Sequence, residues 1–241
     1  MKRDENDALL TLKAFHSQIL KFRNEPFEDL VEKMIPFLIE HLNAYIHANV
    51  PLFRQLNESD LFRCRNTNEK INPVFKELTS PPKEKTIDLR MSRKGTSYFY
   101  GSLDKDTPIE EATAPNSKYS YLAHFRNNRS LILFDLTGLN IDGDSGDEPL
   151  IKSAKHFLQY YTQYISLPNN GNPEEYLPTQ VITHFIKECV KQHFPDGEVK
   201  NVDGVLFISS KTKKENVVLF YDDSSSAQIL TLVDCTLNEN E

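Results

Sequence analysis

The chain changes its hydrophobic period near residue 58, and that switch constrains the fold more than any other feature. Leu30, Met34, Leu38, Leu42 and Ile46 recur at every fourth residue, which lays one apolar ridge along a helix from about Phe27 to Asn49. Leu9, Leu10, Leu12, Phe15, Ile19, Leu20 and Phe22 recur at three- and four-residue steps and predict a helix over 7–22. Asn24-Glu25-Pro26 separates the two, with Pro26 suited to a first helical position and Pro36 marking a place for a kink. Two amphipathic helices on a short connection predict an antiparallel hairpin, so residues 1–58 read as a helical region whose ridge packs on the rest of the chain. Beyond it the pattern is that of short strands at 61–65, 96–101, 122–125, 130–136, 205–209, 216–221 and 228–235. Residues 66–89 carry three prolines and read as loop, and helices are expected over 150–165 and 174–193. Residues 59–241 are therefore expected to form a strand-rich α+β domain.

Composition narrows the class of function. Asp and Glu number 35 against 28 Lys and Arg, a formal net charge of −7, which argues against direct nucleic-acid binding. The three cysteines, Cys64, Cys189 and Cys235, form no CxxC pair, so neither a disulfide framework nor a cysteine zinc site is expected. Reduced thiols suit a cytoplasmic protein. The start, Met-Lys-Arg-Asp-Glu-Asn-Asp, is too acidic for a signal peptide, and no run approaches ~18 apolar residues, so no membrane span is expected. His41 and His47 lie six apart, the wrong spacing for a shared metal on a helix. The acidic run 142–148 has Gly146 where a calcium loop needs a side-chain oxygen. It reads as a solvated loop, as does the basic turn Lys211 to Lys214, and no metal site is expected.

The chemistry concentrates between Arg90 and Glu111. Arg90, Arg93 and Lys94 are a dense local supply of cations, and an arginine here can fork onto a phosphate. Gly95 allows a sharp turn or close approach of backbone to a ligand. Tyr98 and Tyr100 stand two apart on a predicted strand and share a face, where a ring can stack on a heterocycle and offer its hydroxyl. Thr107-Pro108-Ile109-Glu110 has the form of a capping box at a helix start. Glu110 is absorbed by that role. Glu111 has no such duty and sits where the helix dipole favours its ionised form. A cation, an aromatic and a carboxylate in this order can hold an anionic cofactor, stack on a flat ring and stabilise positive charge on a sugar. Together they point to a nucleotide such as NAD.

The spacing Arg90, Gly95, Tyr100, Glu111 resembles the RES domain. So do Leu61-Phe62-Arg63, Tyr176-Leu-Pro-Thr-Gln180, and the pair Asp203 to Ser209 with Asn216 to Phe220. The resemblance covers about Leu61 to Phe220. It implies a mixed β-sheet core like that of the ADP-ribosyltransferases, and an enzyme that consumes NAD by cleaving the nicotinamide–ribose bond, as a glycohydrolase or a phosphorylase. NAD is then substrate, inorganic phosphate is a candidate co-substrate, and no metal is required. Carried over residue by residue, Arg90, Tyr100 and Glu111 would be catalytic, and Arg63, Arg90, Gly95, Tyr100 and Ser209 would bind NAD. Arg65 competes with Arg63, and Ser210 with Ser209, for the matching position. The family's Trp-Asn pair is replaced by Met91-Ser92, and the chain has no tryptophan. The resemblance also implies a bacterial toxin of a toxin–antitoxin pair, whose partner is a helix-turn-helix (Xre-type) antitoxin. A homo-oligomer is left open. Two other readings stand beside this one: a non-catalytic nucleotide-sensing or protein-binding module of the same fold, and an ADP-ribosyltransferase acting on a macromolecule.

Overall fold

The computed structural model describes residues 2–47, 52–112, 117–139, 149–167 and 171–239. The acidic run 142–148 lies outside them. The chain is α+β and forms two compact units, built from interleaved stretches of sequence.

The helical unit gathers Met1–Leu52, Asp88–Met91 and Gly138–Asn201. Its helices are α1 (Lys2–Phe22), α2 (Phe27–His47), α5 (Pro149–Ile165) and α6 (Pro173–Cys189). The ridge read from sequence faces inward: Leu30, Met34, Leu38 and Leu42 are each 1% exposed or less. Both α1 and α2 pack on α5, and α2 also packs on α6, so the two N-terminal helices are half of a four-helix assembly. Phe15 of α1 meets Phe157 of α5 edge to face at 5.2 Å, and the buried hydroxyls of Tyr161 and Thr183 pair at 2.8 Å across α5 and α6. Helix α6 stops at Cys189, and Lys191–His193 (β6) then pairs with Val199–Asn201 (β7) in a small antiparallel hairpin. The helix expected to reach His193 is therefore shorter. Phe194 and Gly197 close a turn there, with Gly197 at φ +87°.

The sheet unit gathers Phe53–Ile87, Ser92–Thr137 and Val202–Glu241. It holds β1 (Phe53–Leu56), β2 (Asp60–Thr67), α3 (Phe75–Leu78), β3 (Phe99–Ser102), α4 (Thr107–Glu111), β4 (Tyr119–Asn127), β5 (Leu131–Asp135), β8 (Gly204–Ile208), β9 (Glu215–Leu219) and β10 (Leu230–Glu239). Eight strands form one mixed sheet in the order β1-β5-β8-β9-β3-β2-β4-β10, in which β5 and β8 are the parallel neighbours. Side chains alternate between faces, and the register fixes which residues share one. Leu61, Phe99, Tyr121, Phe125, Leu206, Val217 and Leu219 lie on one face and make the unit's apolar core with Leu78 of α3. The opposite face carries Phe62, Tyr100, Ser102, Phe207, Asn216 and Val218, with Ser102 paired to both Phe62 and Asn216. No helix among the described residues is long and apolar enough to cross a membrane.

Candidate functional site

The site is built on the face opposite the apolar core. Helix α4 follows β3 after a short loop and contacts β2 and β3. Its start is organised by Asp104, not by the expected Thr107 cap. One Asp104 oxygen accepts the backbone N–H groups of Asp106 and Thr107, at 3.2 and 3.1 Å, and the Thr107 hydroxyl at 3.0 Å. Burial opposes the charge on Asp104, but these hydrogen bonds outweigh it and hold the carboxyl below its ordinary value. The Thr107 hydroxyl also meets Thr212 Oγ1 at 3.1 Å, and the Lys211 ammonium donates to the carbonyl of Glu110. The turn after β8 is thereby fastened to both ends of α4.

That fastening brings Glu111 to Ser209. Glu111, at the end of α4, is exposed. Its Oε1 accepts the Ser209 hydroxyl at 2.5 Å and the Asn216 Nδ2 amide at 2.8 Å. Both partners are nearly buried, Ser209 at 2% and Asn216 at 7% exposure. Ser209 Oγ in turn accepts the backbone N–H groups of Lys211 and Thr212, each at 3.2 Å. Between the two serines the sequence left open, Ser209 is the one bonded to Glu111, and Ser210 is exposed. Asn216 is the residue that sequence reasoning did not single out. Its signal was a polar amide opening the apolar run Val217-Val218-Leu219-Phe220.

Tyr100 lies on the same face, two residue pairs along β3 and β9 from Asn216. Its hydroxyl meets Ser92 Oγ at 2.9 Å. Burial drives the phenol well above its ordinary value, beyond what the Ser92 bond restores. Gly95 has φ +90° and donates its N–H to Thr86 Oγ1 at 2.6 Å. Its role here is a left-handed turn that other residues enter at a cost. Arg63 and Arg65 point to the core face, with Leu61. Arg63 donates to the Leu78 carbonyl at 2.7 Å, and Arg65 to the carbonyl and carboxylate of Glu77. Both cap the C-terminal carbonyls of α3. Burial, with repulsion from Arg65, lowers the Arg63 guanidinium to about 10. Arg90 belongs to the helical unit, where it is 7% exposed. It donates to the Leu167 carbonyl at 2.9 Å and lies over the Tyr176 ring at 4.8 Å, while its own carbonyl accepts the Thr179 hydroxyl.

Within the sheet unit the structure thus joins Glu111 and Ser209 directly, sets Tyr100 on their face, and turns Arg63 to the other. No protein-family model, no curated protein and no solved structure matches this chain. Among the described residues no group of three or more His, Cys, Asp or Glu side chains is arranged to hold a metal ion. The arrangement offers instead a carboxylate steadied by neutral donors. Such a group can accept a hydroxyl or stabilise a nearby positive charge without losing its own to a cation.

Proposed function

We propose that this chain consumes NAD by breaking the bond between nicotinamide and ribose, with water or inorganic phosphate as acceptor. One observation carries the reading. Glu111 is exposed yet fixed, through Ser209 and Asn216, on the sheet face that also bears Tyr100. The nicotinamide of NAD already carries positive charge, so it leaves as a neutral ring and needs no strong acid. Bond breaking moves that positive charge onto the ribose. A carboxylate beside the sugar stabilises the charge as it develops, and a fixed geometry does so without reorganisation in the barrier. Tyr100 would position the nicotinamide by its ring and hydroxyl. On this reading the mixed sheet is the counterpart of the ADP-ribosyltransferase core. The same resemblance makes the protein a cytoplasmic toxin with a helix-turn-helix antitoxin as partner.

The test is direct. The purified chain is incubated with NAD, and free nicotinamide is followed by chromatography beside Glu111→Ala. Turnover abolished by the substitution supports the proposal. Saturable NAD binding with the cofactor left intact overturns it in favour of a binding module. ADP-ribose retained on a macromolecule moves the assignment to a transferase.

A further inference from the structure

We infer that Asn216 is a positioning residue which, with Ser209, pins one oxygen of Glu111 so that the other, Oε2, is the oxygen presented to the ligand. The inference rests on the reading of Glu111 as the working carboxylate.

Hydrogen-bond capacities lead to it. A serine hydroxyl has one proton and two acceptor sites. Both acceptor sites of Ser209 Oγ are addressed, by the N–H groups of Lys211 and Thr212 at 3.2 Å. Its proton therefore has one direction left, towards Glu111 Oε1 at 2.5 Å. Asn216 offers the same oxygen its amide N–H at 2.8 Å. The reverse amide orientation would set a carbonyl oxygen against a carboxylate, so the donor assignment follows from charge. Oε1 thus takes two donors, and Oε2 takes none from the described residues. The last torsion of a glutamate is soft, and a single bond from Ser209 would let the carboxylate swing about it. The second donor removes that freedom. Asn216 is suited to the task because its strand holds it: it pairs with Ser102 on one side and Phe207 on the other. Both donors are neutral, so neither forms an ion pair with the carboxylate. A ligand hydroxyl of the ribose class, or a developing cation, is what Oε2 can take.

Asn216→Asp keeps the shape and replaces the donor with an acceptor. Nicotinamide release is expected to fall about a hundredfold in kcat, with KM for NAD within about twofold. Activity should return in part as pH is lowered and the new carboxyl regains a proton to donate. Asn216→Ala should lower kcat about tenfold. The crystal structure of full-length Asn216→Ala reads the anchor without reference to turnover, since the Glu111 carboxylate should leave its position. An Asn216→Asp variant with unchanged kcat overturns the inference, and so does a Glu111 carboxylate unmoved in Asn216→Ala. Should the native chain release no nicotinamide, the NAD reading falls alone, and the crystallographic result still decides whether Asn216 is the anchor.

Discussion

Asp203 and Glu111 are carboxylates of the same sheet unit with opposite surroundings. Asp203 is 8% exposed, and both its oxygens are satisfied. Arg129 and Tyr221 donate to Oδ1, the former at 2.7 Å, and the N–H of Ile132 donates to Oδ2 at 2.7 Å. Burial, reinforced by the bond to Asp203, raises the Tyr221 phenol, which keeps it a donor. A cation and a full set of donors make Asp203 part of the architecture, joining β5 to the segments around β8 and β9. Glu111 has two neutral donors on one oxygen and no ion pair among the described residues. Saturation with compensated charge marks a group that stabilises the fold, whereas partial saturation with charge retained marks a group open to a partner.

The sharpest way to break this contrast is Glu111→Gln. It should lower nicotinamide release about a thousandfold, about 4 kcal/mol in the barrier. The urea midpoint should barely move, since the glutamine is equally exposed and its carbonyl oxygen can still accept from Ser209 and Asn216. A fall in stability with activity retained would reverse the roles assigned here. Asp203→Asn should do the opposite, removing charge from the Arg129–Tyr221 cluster and costing about 2 kcal/mol of unfolding free energy in urea melts. Tyr100→Phe removes only the bond to Ser92 Oγ. About 1 kcal/mol of stability is expected to go with it, and a change in KM for NAD larger than the change in kcat would place the hydroxyl on the ligand.

The smallest effect concerns a third arrangement, on β2, β4 and β10. His124 is bonded to Asp60 at 2.9 Å and Asp234 at 3.2 Å, with the ring stacked on Phe62. Burial works against the charged ring, but the two carboxylates outweigh it and raise its pKa above the ordinary 6.5. A raised folded-state value means the contribution is whole below about pH 6.5 and is lost as pH rises through the folded value. Both carboxylates are largely exposed, so the effect should stay under about 1 kcal/mol. It should appear as a melting temperature that declines slightly from pH 6 to 8.5 in the native chain and not in His124→Gln.

Local rules made much of the fold legible. The four-residue ridge of α2 and the spacing in α1 follow from helical period. The apolar runs at β8 and β9 read as strands from composition alone. Other elements escaped for identifiable reasons. Strand β1 is four residues long, too short for alternation to register, and is held by pairing with β5. Strand β2 continues through Asn66 and Thr67, and β10 to Glu239, past their apolar residues. There the backbone ladder of a neighbouring strand stabilises polar residues that have little strand preference of their own. Asp104 took over the role expected of Thr107 because its carboxylate reaches two backbone donors at once.

For the candidate site the sequence alone determined the chemical groups: a glutamate in a short helix, where it stands at the last position and not in the first turn as expected, a tyrosine on a strand and a serine at a strand's end. It could not determine which of them meet. Ser209 and Asn216 lie 98 and 105 residues from Glu111 along the chain. Their approach depends on β9 pairing with β3 and on the turn bonded to α4. The side on which Arg63 points was equally out of reach. Strand alternation has period two, so a one-residue change in register would exchange the faces. That register is set by the neighbouring strands and by the packing of Leu61 and Phe99 in the core, which are tertiary facts.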